Sequence, residues 1–289
     1  MNIRIIPRLD VKGPNLVKGI HLEGLRVLGK PERFARHYYE QGADELIYMD
    51  TVASLYGRNS LLDIISETAR QIFIPLTVGG GIRSIDDIRD ALRAGADKVS
   101  LNTAVIKTPN LIRDASRRFG SSTIVVSIEA LRKADGTYEA DTDPGREPTG
   151  VDGMAGAIHA TELGAGELMV TSIDREGTGK GFDLSLIQTI ADSVPVPVIA
   201  CGGAGGVQDV RKVVQEGRAD AVCLASVLHY NFLRHDQADD DFNAVGNIEH
   251  LKSGQGFSRV TDVSLRDMKV QLTEMGIECR LSGVHADRA

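Results

Sequence analysis

The chain has 289 residues, of which 25% are charged and 42% are hydrophobic, and its net charge is −7. This acidic balance argues against non-specific nucleic-acid binding, which needs a basic surface to replace phosphate counterions. No apolar run reaches 18 residues, so no transmembrane helix is expected, and Asp10 comes too early for a secretory signal. Cys201, Cys223 and Cys279 lack metal-ligand spacing and are expected to be reduced thiols in a cytoplasmic protein.

Short apolar or β-branched runs alternate with amphipathic stretches along the chain. Runs that are apolar nearly throughout, with helices between them, are typical of parallel strands covered on their outer face. The pattern also predicts a helix over Ile85–Ala94, with Ser84 as its N-cap and Gly95 after its end. Eight such units predict a single (β/α)₈ barrel over residues 1–289. The predicted strands are Ile3–Leu9, Glu45–Asp50, Pro75–Val78, Lys98–Leu101, Thr123–Ile128, Glu167–Ser172, Pro197–Ala200 and Ala221–Leu224.

The sequence repeats itself once. GADEL begins at Gly42 and GAGEL begins at Gly164, which is 122 positions later. The pair Gly80-Gly81 matches Gly202-Gly203 at the same offset. These matches predict two similar half-barrels of four units each, and they disfavour an open doubly wound sheet.

One polar segment, Asn231 to Asp262, interrupts the alternation and contains three successive aspartates from Asp239. It has no clear period, which predicts an irregular insertion. Ser264 and Asp267 then form a capping-box signal ahead of the last barrel helix. That helix has an apolar face formed by Leu265, Met268, Leu272 and Met275.

Glycines and small polar residues follow the predicted strands at the end where (β/α)₈ barrels carry their active sites. Glycines let backbone amides approach an anion, and a following helix N-terminus adds partial positive charge. They can also merely turn the chain, but two copies at repeat-equivalent positions favour two phosphate sites. The first site comprises Gly80, Gly81, Asn102 and Thr103, and the second comprises Gly202, Gly203, Ala225 and Ser226.

Two carboxylates, Asp10 and Glu129, end predicted strands one and five at corresponding positions in the two halves. An opposed pair can divide acid and base roles, although the same pattern is equally typical of a structural salt bridge. Lys18 lies in the predicted loop after strand one, where it could clamp a phosphate or simply be solvated. Further polar candidates are Asp50 at the end of strand two, Thr171 and Asp174 at the end of strand six, and Glu176 in the loop after strand six.

Charged residues also stand at the starts of four predicted strands. They are Arg4, Glu45, Lys98 and Glu167. Charges at the start of otherwise apolar strands are costly unless they are paired, so we expect a neutral ring at the barrel floor. Such a ring serves stability alone unless something must pass through it.

Several ordered motifs together resemble the cyclase subunit of imidazole glycerol phosphate synthase. The resemblance runs from about Arg4 to Tyr230 and resumes weakly in the final helix. The motifs are IIPRLDVKGPNLVKG, GADELIYMD, FIPLTVGGGIRS, LRAGADKVSLNTA, LGAGELMVTSIDREGTGKGFD and VPVIACGGAG.

The resemblance implies a (β/α)₈ barrel with no metal or organic cofactor. It implies a heterodimer with a glutaminase subunit docked at the barrel floor, whose ammonia crosses the barrel to a bisphosphorylated substrate. Attack on the ribulosyl carbonyl, ring closure and N–C cleavage would give imidazole glycerol phosphate and an aminoimidazole carboxamide ribotide. No nucleic-acid or membrane partner is expected.

The resemblance also implies residue roles. Asp10 and Glu129 correspond to the acid/base pair, and Lys18 to the lysine of a mobile loop. The floor residues correspond to an ammonia gate. The phosphate sites correspond to Gly81, Asn102 and Thr103 in one half, and to Gly177, Gly203 and Ser226 in the other.

Three departures keep other functions open. Members of the family that make imidazole glycerol phosphate have Asp at positions 129 and 176 and usually Ser at 201, whereas this chain has Glu129, Glu176 and Cys201. A displacement of about 1 Å can cost about 10²-fold in rate. The alternatives are a paralogue that amidates a sugar or sugar nucleotide for surface polysaccharide, a non-catalytic glutaminase-binding barrel, and the sister phosphoribosylformimino isomerase. Asp10 and the complete ring favour the cyclase.

Overall fold

Eight parallel strands close into a barrel in the computed structural model, which describes residues 2–21, 23–51, 61–142, 147–235 and 259–281. Strands are numbered in chain order. The barrel strands are β1 (Arg4–Lys12), β4 (Leu46–Asp50), β5 (Leu76–Gly79), β6 (Lys98–Leu101), β7 (Ile124–Arg132), β10 (Glu167–Ser172), β11 (Val198–Cys201) and β12 (Ala221–Leu224). Parallel pairing of β12 with β1 and of β7 with β10 closes the ring. The predicted (β/α)₈ fold is therefore confirmed.

Each half-barrel carries a β-hairpin directly after its first strand, which the sequence analysis did not predict. The hairpin after β1 consists of β2 (Asn15–Ile20) and β3 (Glu23–Gly29), and the hairpin after β7 consists of β8 (Tyr138–Thr142) and β9 (Glu147–Asp152). Both β1 and β7 are nine residues long and extend beyond the barrel to pair with these hairpins. A hairpin at the same position in both halves supports the internal repeat.

Helices cover the outer face of the barrel. They are α1 (Pro31–Glu40), α2 (Leu62–Ala69), α3 (Ile85–Ala94), α4 (Thr103–Lys107), α5 (Asn110–Phe119), α6 (Gly153–Glu162), α7 (Leu184–Ala191), α8 (Val207–Gln215), α9 (Ser226–His235) and α10 (Leu265–Glu274). The α3 helix has the predicted bounds, because Ser84 accepts a hydrogen bond from the Asp87 amide and Gly95 ends it at φ +119°. Within the described ranges, no helix is long and apolar enough to cross a membrane.

The predicted insertion begins later than the sequence suggested, since α9 continues to His235. Residues 236–258, which include the three successive aspartates, lie outside the described residues. The flanks of this segment are joined, because Asp262 accepts a hydrogen bond from Asn231, forms an ion pair with Arg234 and lies 3.0 Å from the His235 Nε2 atom. Ser264 then caps α10 through the Asp267 amide, as predicted.

The barrel is apolar inside, where Ile6, Ile47, Val125, Met169 and Ile199 form a buried cluster. A second, larger apolar layer lies between the strands and the helices. Because the strands are parallel, their starts lie at the barrel floor and their ends at the mouth, where the polar candidates lie.

Asp44 contacts both the last helix, α10, and the first strand, β1. Its carboxylate accepts the Ile5 amide at 2.8 Å, and it forms ion pairs with the buried Lys269 at 2.7 Å and with Arg280 at 3.0 Å. Burial lowers the pKa of Lys269, and the Asp44 carboxylate opposes that shift.

We expect Lys269→Met to lower the free energy of unfolding by about 3 kcal/mol, because it leaves a buried carboxylate with less compensation. The exposed Lys212 on α8 provides the control, and Lys212→Met should cost about 0.5 kcal/mol or less. Urea denaturation measures both changes. Equal losses in the two variants would contradict a structural role for the buried pair.

Candidate active site

Residues within or directly after β4, β5, β6 and β7 line a cavity of about 300 Å³ at the barrel mouth. Six of the predicted site residues line it, namely Asp50, Gly80, Gly81, Asn102, Thr103 and Glu129. Sequence analysis missed two cations of the same cavity, Arg83 and Lys107. The first predicted phosphate site is thus assembled in one place, and it contains positive charge.

Polar atoms in this cavity have unmet hydrogen-bonding capacity. The Ser100 hydroxyl and the Asn102 side-chain oxygen are buried and have no hydrogen-bond partner among the described residues. Buried polar atoms are normally hydrogen-bonded, so these two favour a polar ligand or ordered water in the cavity.

The glycines of the two halves all have positive φ angles. Gly80 and Gly202 both have φ +87°, while Gly81 has φ +73° and Gly203 has φ +111°. A Cβ atom on Gly80 would overlap the Asp50 backbone, and one on Gly203 would overlap the Gly181 carbonyl group. These positions therefore require glycine for both conformation and close approach.

The second predicted phosphate site also forms a single cavity, but a much smaller one of about 20 Å³. The predicted residues that line it are Glu176, Gly177, Gly202, Gly203, Ala225 and Ser226. Ser226 is the first residue of α9, whose N-terminus therefore lies at this cavity. Arg8, which sequence analysis did not select, lines the same cavity.

The expectation that Lys18 lies in a loop is wrong, since it lies in β2 and is buried. Its ammonium group forms an ion pair with the buried Glu176 and donates to the Gly19 carbonyl group at 2.9 Å. The β2–β3 hairpin thereby lies against the loop after β10, beside the second cavity. His21 adds a further contact, because its amide donates to the Glu176 carbonyl group.

Arg8 and Asp10 form a buried ion pair on β1. The Arg8 Nε atom donates to the Asp10 carboxylate at 2.8 Å, and both side chains are about 5% exposed or less. The predicted acid/base candidate Asp10 thus has a cation as its direct neighbour. The Glu129 carboxylate also acts electrostatically on Arg8, so Arg8 is influenced by both predicted carboxylates.

Glu129 lies in β7, and its register partner on the neighbouring strand β8 is Asp141. Asp141 is buried, and burial raises its pKa, with further contributions from Glu139 and Asp174. Sequence analysis missed this carboxyl group because nothing in the local pattern predicted the second hairpin.

Two thiols lie beside Arg8. Cys201 on β11 and Cys223 on β12 are register partners, and both are buried and free. A hydrogen bond from Cys223 and the positive charge of Arg8 lower the pKa of Cys201. Burial raises the pKa of Cys223. The Cys201 thiol therefore has more thiolate character than an ordinary buried cysteine.

Four residues predicted for the mouth are not among those that line either cavity, namely Asp10 and Lys18, described above, and Thr171 and Asp174. Thr171 is fully buried in β10, between its register partners Glu129 and Cys201. Asp174 is exposed and accepts a hydrogen bond from the Arg132 amide at 2.9 Å. The structure therefore places Thr171 within the wall of the barrel mouth and Asp174 on its rim.

The four charged residues at the strand starts form a closed ring of ion pairs. Arg4 Nη1 lies 2.6 Å from Glu45 and 2.9 Å from Glu167, and Lys98 Nζ lies 3.0 Å from Glu45 and 3.2 Å from Glu167. Each cation contacts both acids, so the ring is neutral, as the sequence predicted. It lies across the barrel floor, at the opposite end from the two cavities.

Comparison with known proteins adds independent evidence. The sequence profile of a family described as "Histidine biosynthesis protein" matches residues 4–234. The imidazole glycerol phosphate synthase subunit HisF of Legionella pneumophila is 59% identical over 208 residues, which are 72% of this chain and 98% of that protein. The corresponding HisF subunit of Alkaliphilus metalliredigens is 47% identical over 228 residues, which are 79% of this chain and 90% of that protein.

This chain belongs to the imidazole glycerol phosphate synthase cyclase-subunit family. The family resemblance predicted from the motifs is therefore confirmed. The profile match spans every barrel strand and ends within α9, so α10 lies beyond it.

Close approach at Gly80 can be tested against a glycine with the same φ angle. Gly80 and Gly136 both have φ +87°, but a Cβ atom on Gly136 would meet nothing within 4 Å. We expect Gly136→Ala to cost about 1 kcal/mol of stability from backbone strain alone. Gly80→Ala adds an overlap with the Asp50 backbone, so about 3 kcal/mol is expected. Urea denaturation measures both, and similar losses would show that the packing at Gly80 is unimportant.

Proposed function

We propose that this protein is the ammonia-using cyclase of imidazole glycerol phosphate synthase. Its substrate would be phosphoribulosyl-formimino-aminoimidazole carboxamide ribotide, and its products imidazole glycerol phosphate and aminoimidazole carboxamide ribotide. One observation carries the proposal: two glycine-rich cavities lie at one mouth of the barrel. A substrate with a phosphate at each end suits two such sites, because backbone amides and helix N-termini bind anions.

Asp10 and Glu129 are the proposed acid/base pair. Ammonia adds to the ribulosyl carbonyl carbon, and the carbonyl oxygen leaves as water after it accepts protons. Ring closure and N–C cleavage then require one proton to be removed and another to be delivered. Two carboxylates in different surroundings can divide these tasks. Asp10 is paired with Arg8, whereas Glu129 lines the larger cavity.

Phosphate groups are proposed to bind at Gly81, Asn102 and Thr103 at one end and at Gly177, Gly203 and Ser226 at the other. Arg83 and Lys107 add positive charge to the first site. Lys18 and Glu176 would hold the β2–β3 hairpin against the second site. The protein would act in the cytoplasm, which its free cysteines suit.

A glutaminase subunit is the proposed partner, docked at the barrel floor as a heterodimer. The neutral ring of Arg4, Glu45, Lys98 and Glu167 would be the gate through which ammonia passes. Four charges at one constriction cost desolvation energy that apolar side chains would avoid, so stability alone is a weak reason for the ring.

The direct test incubates the purified protein with this substrate and an ammonium salt at alkaline pH and follows the loss of substrate absorbance. We expect turnover that falls by about 10³-fold in Asp10→Asn, because a group that transfers protons is lost. The control is Asp63→Asn on α2, an exposed position that should leave turnover unchanged.

No turnover by a folded protein would overturn the cyclase proposal. Glu129 and Glu176, which stand where the family's cyclases have the shorter Asp, would then favour amidation of a sugar nucleotide. That reaction would be tested with the glutaminase present. Full turnover in Asp10→Asn would remove Asp10 from the proposed acid/base pair.

The gate is tested by Glu167→Gln, which leaves both cations of the ring with Glu45 alone. With the glutaminase present, glutamine-dependent turnover should fall by about tenfold, since misplaced ring charges obstruct ammonia transfer. Turnover with saturating ammonium salt should change little, because ammonia then reaches the mouth from solvent. Glu40→Gln, which removes only the exposed Arg36–Glu40 pair, is the control. Equal losses in the two assays would contradict a gating role.

A further inference from the structure

Arg8 is a buried cation to which the proposed reaction assigns no task. It lies in the middle of β1, where its side chain is about 5% exposed and reaches the cavity that Gly202, Gly203 and Ser226 also line. A buried guanidinium is costly unless nearly all of its hydrogen-bond donors are used. The hydrogen-bond partners of Arg8 therefore indicate which kind of ligand the surrounding site can bind.

Arg8 has two hydrogen-bond partners among the described residues. Nε donates to the Asp10 carboxylate at 2.8 Å, and Nη1 donates to the Cys201 sulfur at 3.6 Å. A guanidinium carries five N–H donors in a planar fork, so donors remain that Asp10 and Cys201 do not take. Arg8 also lines the second cavity, so a group bound there would lie beside its side chain.

The remaining lining of this cavity suits an anion but supplies no other positive side chain. Gly203 gives close backbone approach, and Ser226 begins the ten-residue helix α9. Lys18 lies nearby, but its charge is paired with the buried Glu176. The first cavity, by contrast, has Arg83 and Lys107. Among the described residues, Arg8 is therefore the cation that lines the second cavity.

We propose that Arg8 is a specificity-determining residue that binds the phosphate ester of the substrate in the second cavity while it holds Asp10 by its Nε atom. The identity of the ligand rests on the proposed function. A guanidinium suits a phosphate group because its fork matches two phosphate oxygens. The same side chain then links the bound phosphate to Asp10, so a substrate with a neutral group at this end would bind poorly.

The test compares two proteins that both lack the Asp10 carboxylate, namely Asp10→Asn and the double variant Asp10→Asn/Arg8→Met. In Asp10→Asn the side-chain oxygen of Asn can still accept the Arg8 Nε hydrogen bond, and the double variant removes both charges of the pair together. The matched control is Asp10→Asn/Arg132→Met, which removes an exposed arginine at the end of β7 instead.

Inorganic phosphate is titrated into ¹⁵N-glycine-labelled protein, and amide shifts are followed at Gly203 for the second cavity and at Gly81 for the first. In the Arg8→Met double variant, the dissociation constant at Gly203 should rise by about tenfold, or about 1.4 kcal/mol. The value at Gly81 should not change. The Arg132→Met control should match Asp10→Asn at both glycines.

Equal affinity at Gly203 with and without Arg8 overturns the proposal. If the double variant does not fold, Asp10→Asn/Arg8→Lys keeps the charge and loses the fork, and about threefold weaker binding at Gly203 is expected. Turnover of the unaltered protein is measured in parallel. Absence of turnover together with an Arg8-dependent response at Gly203 would remove the cyclase proposal and leave the anion site standing.

Discussion

Parallel closure of the barrel is the constraint on which the other features depend. Because β12 pairs with β1 and β7 pairs with β10 in the same direction, all eight strand starts meet at the floor and all eight strand ends meet at the mouth. The floor is thereby closed by a neutral ring of four charges, and the mouth collects both glycine-rich cavities. An apolar interior separates the two polar ends.

Buried ion pairs occur at both ends of the barrel. Arg8 with Asp10 and Lys18 with Glu176 lie at the mouth, while Lys269 with Asp44 lies near the floor. Such pairs are a weak source of stability, because desolvation offsets much of the attraction. At the mouth, they fix the direction of charged side chains around a cavity, which packing of apolar residues would not achieve.

The two half-barrels share a backbone plan but differ in chemistry. Gly80 and Gly202 have the same φ, and each half carries a hairpin after its first strand. The cavities nevertheless differ, since the first measures about 300 Å³ and the second about 20 Å³. Arg8 reaches the second cavity, whereas Arg83 and Lys107 line the first. The repeat therefore provides two glycine-rich cavities whose charged groups come from different positions.

Local pattern alone located the eight barrel strands and gave the bounds of the α3 helix. The strands Lys98–Leu101, Glu167–Ser172 and Ala221–Leu224 have the bounds that the sequence predicted, because parallel barrel strands are continuous apolar runs between helices. The sequence also predicted the glycines of both cavities, because positive φ favours glycine. It predicted the floor ring as well, because a charged residue at the start of an apolar strand is easily recognised.

Only the closed tertiary structure decided how the charges at the mouth are paired. Lys18 and Glu176 are 158 positions apart, and Arg8 and Cys201 are 193 positions apart, so no local pattern joins them. The hairpins also escaped prediction, and with them the burial of Lys18 and Asp141. Asp174 shares its loop with Glu176, yet it is exposed while Glu176 is buried. Composition and periodicity show that a residue is polar, but which neighbour it meets depends on how distant strands are brought together when the barrel closes.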